Sequence, residues 1–360
     1  MNVSLTYGDQ MAWQGIEGHD AIAAEFTRAR ARGRIAGTYL FIGPPGVGKG
    51  TFARRLAKAL TCAAPRDGLV ACNACASCVQ AEAGSHPDIE VVQKPEDRAT
   101  IPLDLLIGDA EHRMREGLCW RLLLKPALGG RKVAVILDAD HLSEEAANCL
   151  LKTLEEPPPE AVIILVGTAL ERQLPTIRSR CQIVRFRPLA PEAIVRVLRA
   201  EQDASQVDEQ RLRTCAAGAA GSLERARCLL DDDLTAFRAS LFRMLGTRPL
   251  HGVDLAREVL AVVDAAGKEA PPRRARLRTV LDFALEFFRT ALRRDTTGDL
   301  PADPALAAAV ASWSCDGERA ATCLTQTLDA LDAIDRNVNL TILVDAWTAL
   351  LEEPRLAQST

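Results

Sequence analysis

The sequence lacks any uninterrupted apolar run that approaches the roughly 20 residues a membrane-spanning helix needs. Its first ten residues, MNVSLTYGDQ, also lack the basic, apolar and small-residue order of a secretion signal. A formal net charge of -4 argues against a wholly basic protein that coats nucleic acid, so any nucleic acid would meet one face only. No internal repeat and no long low-complexity tract is present. Together these absences predict a cytoplasmic protein of globular domains.

The length of 360 residues exceeds what one typical hydrophobic core contains, and it predicts two or three domains. Strand-like and helical segments alternate in the first half, whereas strand signals stop after "FRPLAPEAI". We therefore predict an α/β domain over residues 1–187 and a small helical lid domain over 188–240. An alanine- and leucine-rich helical domain is expected over 241–360.

Three apolar segments predict the strands of the α/β domain. "TYLFIG" (Thr38–Gly43) is a β-rich run that ends at a glycine-rich loop. "KVAVILD" (Lys132–Asp138) and "AVIILVG" (Ala161–Gly167) are continuous apolar runs, which are typical of strands buried on both faces of a parallel sheet. Between these two runs, a capping serine at Ser143 and a proline at Pro157 delimit one helix. This alternation indicates a doubly wound α/β fold.

The loop "GPPGVGKGT" (Gly43–Thr51) nearly satisfies the phosphate-loop pattern GxxxxGK[ST], but Gly50 stands where the pattern has a magnesium-binding hydroxyl. Backbone N–H groups at the start of the following helix can converge on phosphate oxygens, and Lys49 adds a mobile charge. Thr51 lies about 100° further around that helix and does not replace the missing hydroxyl. The alternative is a structural turn or a lost site. The candidate nucleotide-binding residues are Gly43, Pro44, Pro45, Gly46, Val47, Gly48, Lys49, Gly50 and Thr51.

Asp138 ends the second apolar run, where a carboxylate can hold a magnesium-bound water. The next residue is Ala139, which has no proton-accepting group at the position where an ATPase of this type keeps a glutamate. Asp140 and His141 are displaced along the chain, and we expect them to be solvent-facing polar residues at a helix entry. The sequence thus predicts possible binding of ATP or ADP, weak or absent Mg²⁺ binding, and no competent hydrolysis.

Four of the eleven cysteines cluster in the sequence, at Cys62, Cys72, Cys75 and Cys78. Disulfides are rare in the cytoplasm, so clustered cysteines there are better interpreted as metal ligands. Two interlocked CxxC turns plus one preceding cysteine supply four thiolates, which is the closed ligand set of structural zinc. The other seven cysteines occur in apolar contexts and are predicted to be core residues.

The segment "TIRSRC" (Thr176–Cys181) carries two arginines shortly after the third apolar run. Its spacing leaves two interpretations open. The arginines can simply be solvated surface charges. Alternatively, Arg180 projects across a subunit boundary towards a neighbour's γ-phosphate, where a guanidinium stabilises the charge of phosphoryl transfer.

In combination, these segments resemble the clamp-loader subunits of bacterial DNA polymerase III, which belong to the AAA+ class. The likeness covers about the first 240 residues, and its most specific parts are the cysteine insertion and the "SRC" arginine. It implies an AAA+ P-loop NTPase-like domain, a helical lid and a helical collar over 241–360. It also implies a hetero-pentameric ring with tau/gamma and delta subunits, which loads a sliding clamp onto primed DNA.

Three departures from the motor type of this family, tau or gamma, favour a resemblance to the delta-prime type. Gly50 replaces the hydroxyl residue, Ala139 replaces the glutamate, and "GSLER" places Glu224 at the arginine position of the GSxR pattern. The resemblance then implies that Arg180 is a trans arginine finger and that the four clustered cysteines bind structural zinc. No independent ATPase activity is expected, only membership of the polymerase holoenzyme. The alternatives are a motor ATPase of the same complex and, from the "GKGT" wording, a nucleotide kinase.

Overall fold

The computed structural model describes residues 13–66, 68–96, 98–113, 115–128, 130–201, 208–301, 303–336 and 338–352. The chain folds into two compact units, the first comprising residues 1–95 and 100–227, and the second comprising 96–99 and 228–360. The outer ends of the predicted domains, residues 1–12 and 353–360, lie outside the described residues. The predicted domain boundaries at 187 and 240 stay predictions. Among the described helices, none combines the length and the apolar character that crossing a bilayer requires.

A parallel sheet forms the centre of the first unit. Its described strands are β1 (Thr38–Ile42), β2 (Ile89–Val92), β3 (Lys132–Ile136), β4 (Ala161–Gly167) and β5 (Gln182–Arg185). They lie in the spatial order β2-β3-β4-β1-β5. Every residue of β1, β3 and β4 is buried, which confirms the three strands predicted from apolar runs. Because these strands are covered on both faces, both sets of alternating side chains must be apolar.

Helices cover the two faces of this sheet. The described helices of the first unit are α1 (Asp20–Ala31), α2 (Lys49–Thr61), α3 (Ala76–Glu82), α4 (Leu103–Ile107), α5 (Gly117–Leu123), α6 (Glu144–Glu155), α7 (Pro175–Arg178), α8 (Pro191–Glu201), α9 (Glu209–Gly218) and α10 (Leu223–Leu230), the last of which extends into the second unit. Helix α2 packs with Phe41 and Val133 on one face, and α6 packs with Leu40 and Ala134 on the other. The Ser143 hydroxyl accepts the Ala146 N–H at 3.1 Å, so α6 begins at its predicted cap. The predicted α/β fold is confirmed.

The described part of the second unit is entirely helical. It contains α11 (Asp232–Gly246), α12 (Gly252–Asp264), α13 (Ala270–Thr297), α14 (Pro304–Ser312), α15 (Gly317–Asp335) and α16 (Leu340–Glu352). A buried arginine, Arg238, connects three of these helices. Its guanidinium lies 4.4 Å from the centre of the Phe242 ring and donates to Glu286 at 3.0 Å and to Asp303 at 2.6 Å. A buried charge requires such partners, since an unpaired one is costly in a helical core.

Candidate functional site

The glycine loop joins β1 to α2 and has backbone features that suit the predicted phosphate site. Gly46 and Gly48 have φ angles of 72° and 92°, a left-handed conformation that glycine adopts without steric cost. Gly48 directly precedes α2, which begins at Lys49. The positive end of α2 and its free N–H groups therefore lie beside the loop, as an anion site requires. Pro44 and Pro45 are exposed at the tip of the loop.

The Lys49 amine lies within the loop. Its Nζ atom donates to the carbonyl oxygens of Gly43 at 2.7 Å and Pro44 at 2.6 Å, and the residue is only 7% exposed. Burial lowers the pKa of Lys49 to about 8, while the carboxylates of Asp140 and Asp138 partly oppose this effect. The charge that a phosphate would meet is therefore held in place but titrates near neutral pH.

Two distant segments of the chain contact the same loop. The Leu223 N–H donates to the Gly46 carbonyl at 2.8 Å, and a Cβ atom on Gly46 would lie 2.1 Å from Ser222 Oγ. From the second segment, the His19 Nε2 atom donates to the Val47 carbonyl at 2.7 Å. Burial lowers the pKa of His19, which favours the neutral form of the ring. The "GSLER" segment thus lies directly against the loop, which sequence spacing alone does not reveal.

The residues expected to handle magnesium and water lie close to the loop. A Cβ atom on Gly50 would lie 3.3 Å from Leu137 Cδ2, so a larger side chain there would crowd the end of β3. Thr51 is exposed. Asp138 is also exposed, with a left-handed φ of 54°, and Ala139 is buried at the start of a 3-10 turn. Position 139, where an active ATPase would have its catalytic glutamate, therefore carries only the buried methyl group of alanine.

The prediction that Asp140 faces solvent is wrong. Its carboxylate accepts hydrogen bonds from the Thr168 backbone N–H at 2.7 Å and from the Thr168 hydroxyl at 2.6 Å. The Gln173 side-chain amide donates to the other carboxylate oxygen. These contacts arise because β3 and β4 are adjacent and parallel, so the residues that follow them meet at one edge of the sheet. The Asp140 carboxylate therefore links the end of β3 to the end of β4.

The four clustered cysteines converge as predicted. All four Sγ atoms lie within 4.8 Å of one another, with 4.0 Å between Cys62 and Cys75 and 3.9 Å between Cys72 and Cys78. A tetrahedral thiolate site with metal–sulfur bonds of about 2.3 Å places its sulfurs about 3.8 Å apart. The residues present therefore fit one metal ion with four sulfur ligands.

Local backbone geometry creates this cysteine cluster. Cys62 follows the last residue of α2, Cys75 precedes the first residue of α3, and Asn73 has a left-handed φ of 60°. Hydrogen bonds from the backbone of Ala74 and Cys75 lower the pKa of Cys72 to about 6, which favours the thiolate. Burial raises the pKa of Cys78 to about 12, and a bound cation would reverse that effect.

A buried hydrogen-bond chain supports the cluster from behind. The Asp88 N–H donates to His86 Nδ1 at 3.0 Å, so the protonated Nε2 atom donates to Ser77 Oγ at 2.8 Å. The Ser77 hydroxyl in turn donates to the Thr61 carbonyl at the end of α2, also at 2.8 Å. This ring donates to serine and is not a base for it, so the pair is structural. Sequence spacing alone does not indicate this pairing of Ser77 with His86, which lie nine residues apart.

Arg180 lies beyond α7 and is partly buried. Its Nε atom donates to Glu155 Oε1 at 2.7 Å, Nη2 donates to the same oxygen, and Nη1 donates to the Thr176 carbonyl at 2.9 Å. Its own carbonyl accepts from the Thr38 hydroxyl at 2.7 Å, which fixes the backbone to the start of β1. The second arginine, Arg178, is exposed. A role for Arg180 towards a neighbouring subunit stays a prediction.

The remaining seven cysteines only partly follow the core prediction. Four of them, Cys119, Cys181, Cys215 and Cys323, are buried, and two are of intermediate exposure. The prediction is wrong for Cys149, which is exposed on α6. The helix is amphipathic and buries its other face through Ala146, Ala147, Leu150 and Leu154.

Residues 18–190 match the protein family described as "DNA polymerase III, delta subunit". The chain is 33% identical to the Bacillus subtilis DNA polymerase III subunit delta' over 211 residues, which are 59% of this chain and 59% of that protein. It is 36% identical to the Pseudomonas aeruginosa delta' subunit over 158 residues, which are 44% and 45% of the two chains. The tau subunit of B. subtilis is 32% identical over 228 residues, 62% of this chain and 38% of tau.

The chain thus spans between 38% and 59% of the length of these relatives. The family match includes all five strands, the glycine loop, the cysteine cluster and Arg180. The resemblance found in the sequence is confirmed at the level of the family. The part of the chain that holds the parallel sheet and the glycine loop is thus similar to the delta-prime and tau subunits of the bacterial DNA polymerase III clamp loader.

Proposed function

We propose that the chain is a delta-prime-type subunit of the DNA polymerase III clamp loader. In this role it completes a hetero-pentameric ring with tau/gamma and delta subunits and supports ATP-dependent loading of the sliding clamp onto primed DNA. It does not hydrolyse ATP itself but supplies Arg180 to the active site of a neighbour. The proposal depends on one observation: the glycine loop has a geometry that suits phosphate, while the hydroxyl that would bind magnesium directly and the glutamate that would activate water are absent.

The three departures concern different steps of hydrolysis. Gly50 offers no oxygen to magnesium, and Ala139 offers no acceptor for the proton of the attacking water. Glu224, at the position where the motor type has an arginine, brings a negative charge to the segment that contacts Gly46. A missing general base alone typically lowers a rate by a factor of about 10² to 10⁴. Restoring one group would therefore leave two defects.

The competing proposal is a motor subunit, and the identity to B. subtilis tau, 32% over 228 residues, keeps it open. The two proposals differ in what the isolated chain does with ATP. We expect turnover at background for the unmodified chain and for Ala139→Glu, because Gly50 and Glu224 still lack the other two functions. Phosphate release from the purified chain, with and without primed DNA, is the measurement. Robust hydrolysis by the unmodified chain would favour the motor proposal.

Nucleotide binding by the loop should depend on pH. A group with a pKa of about 8 loses its charge as pH rises from 7 to 9, with the charged fraction falling from about nine-tenths to about one-tenth. We expect the affinity for ADP to weaken by up to about tenfold over this range. Titration calorimetry at several pH values measures it. Lys49→Arg is the control, because a guanidinium stays charged; equal pH dependence in both proteins would contradict a role for the Lys49 charge.

We also propose that the cysteine cluster binds structural zinc. Four thiolates leave no open position for water, which is the arrangement of structural and not of catalytic zinc sites. The sulfur separations of 3.9 and 4.0 Å support a tetrahedral ion, and the buried His86–Ser77 contact would keep the ligand helix α3 in place. Such an ion would supply folding free energy to the segment that follows α2.

Freshly purified protein should retain about one zinc per chain after dialysis. We expect Cys75→Ser to release the metal and to expose residues 62–78 to proteolysis and hydrogen exchange, because three thiolates hold zinc less tightly. Cys149→Ser is the matched control, since Cys149 is exposed and outside the cluster. Metal content well below one equivalent in the unmodified protein, or equal loss in both variants, would count against the site.

The proposed role of Arg180 is testable in the assembled ring. Arg180→Ala should leave ring assembly intact and lower ATP hydrolysis at the facing site on the order of 10³-fold, because a trans guanidinium stabilises the transferring phosphoryl group. The total rate falls only partially, since other sites continue to work, whereas clamp loading falls further. Arg180→Lys should not fully restore the rate, because an ammonium lacks the planar pair of donors.

Arg178→Ala is the control for this experiment, since Arg178 is exposed two residues away in the same segment. ATP turnover and clamp loading at normal rates in the Arg180→Ala ring would show that Arg180 is a surface charge. The same loss in both variants would indicate a general effect on the segment and would also contradict the proposal.

A further inference from the structure

We infer that Glu155 is the positioning residue for Arg180. This inference rests on the proposed function, because it assigns the partner that holds the proposed arginine finger. Glu155 is the last residue of α6, and its Oε1 atom accepts both Arg180 Nε, at 2.7 Å, and Arg180 Nη2. One carboxylate oxygen therefore holds one whole edge of the guanidinium plane.

The opposite side of the guanidinium is held by the segment that precedes it. Nη1 donates to the Thr176 carbonyl at 2.9 Å and to Ser179 Oγ at 3.2 Å. With the two bonds to Glu155, these contacts use four of the five N–H groups of an arginine. The fifth belongs to Nη2, and the side chain keeps 29% of its surface exposed. Arg180 is thus held along its inner edges, and its remaining donor lies on the atom at its tip.

The pairing is specific within its surroundings. Glu156 follows Glu155 directly and is exposed, and it forms no ion pair with any described residue. Arg178 lies two residues before Arg180 and is likewise exposed and without an ion pair among the described residues. Two acidic and two basic side chains are available, but only Glu155 and Arg180 pair. Glu156 and Arg178 can therefore serve as matched controls for Glu155 and Arg180.

Holding the guanidinium matters because catalysis by a charged group depends on its placement. An arginine loses considerable side-chain freedom when it is fixed, and a displacement of about 1 Å from the reacting group can cost about a hundredfold in rate. Glu155 already restricts the Arg180 side chain within this chain, before a neighbouring subunit binds. Its negative charge partly offsets the cation, yet Glu155 engages only one of the two N–H groups of Nη2 and leaves the other for a neighbour's phosphate. We therefore expect the gain from positioning to exceed the loss of charge.

The test uses rings assembled from the full chain with its tau/gamma-type and delta-type partners, and it measures steady-state ATP turnover and clamp loading on primed DNA. Glu155→Ala should lower kcat for clamp loading about tenfold, with KM for ATP unchanged, because Glu155 does not touch nucleotide. Glu155→Gln keeps an acceptor of the same length and should lose no more than about threefold. Glu156→Ala should behave as the unmodified ring, and all variants should assemble and melt normally, since exposed ion pairs contribute little to stability.

A double variant separates positioning from other roles. If Glu155 acts through Arg180, then Glu155→Ala should cause no further loss in an Arg180→Ala ring. An additive loss would show that Glu155 acts elsewhere and would overturn the inference. A faster rate with Glu155→Ala would also overturn it, because the carboxylate would then restrain the arginine.

The same set of rings distinguishes the proposed role of Arg180 from the proposed role of Glu155. Normal rates with Arg180→Ala would remove the proposed arginine finger, and the inference with it. A strong effect of Arg180→Ala combined with no effect of Glu155→Ala would leave the arginine finger intact and would refute only the role of Glu155.

Discussion

The parallel pairing of β1, β3 and β4 determines where the chemical groups of the first unit lie. Parallel strands end on the same edge of a sheet, so the glycine loop after β1, Asp138 after β3 and Thr168 after β4 become neighbours. The pairing needs apolar side chains on both faces, and this requirement explains the uninterrupted hydrophobic runs. Burial of the same edge also lowers the pKa of Lys49, because its amine lies where water is excluded. The parallel strand order therefore accounts both for the position of these groups and for the lowered pKa of Lys49.

The features that were predicted from sequence depend on local rules. Buried strands, a glycine loop before a helix and a capping serine each leave a signal within about ten residues. The cysteine cluster is equally predictable from sequence, because a metal site of this kind uses ligands at short, regular spacings. Helix α6 begins and ends within two residues of the limits that Ser143 and Pro157 indicate.

The features that were missed join residues far apart in the chain. Leu223 meets Gly46, and Arg180 meets Glu155, only after the sheet and its helices have formed. The hydrogen bonding of Asp140 escapes sequence prediction because its partner, Thr168, follows the neighbouring strand, and no local pattern encodes that pairing. Cys149 was assigned to the core because cysteine is usually buried, whereas the apolar face of α6 lies elsewhere. Residue type predicts burial only on average. Whether a particular helical residue is buried depends on which face of the helix it lies on.

Helix α2 serves two tasks at its two ends. Its first residue, Lys49, lies in the glycine loop, and Cys62 follows its last residue, so one helix of 13 residues connects the loop to the four-cysteine cluster. Each residue in an α-helix advances the chain by about 1.5 Å and turns it by about 100°. One residue inserted into α2 would therefore rotate Cys62 by more than a quarter turn relative to the loop and carry its sulfur away from the other three. The spacing between Lys49 and Cys62 is set by both sites together, and neither can change its register without the other.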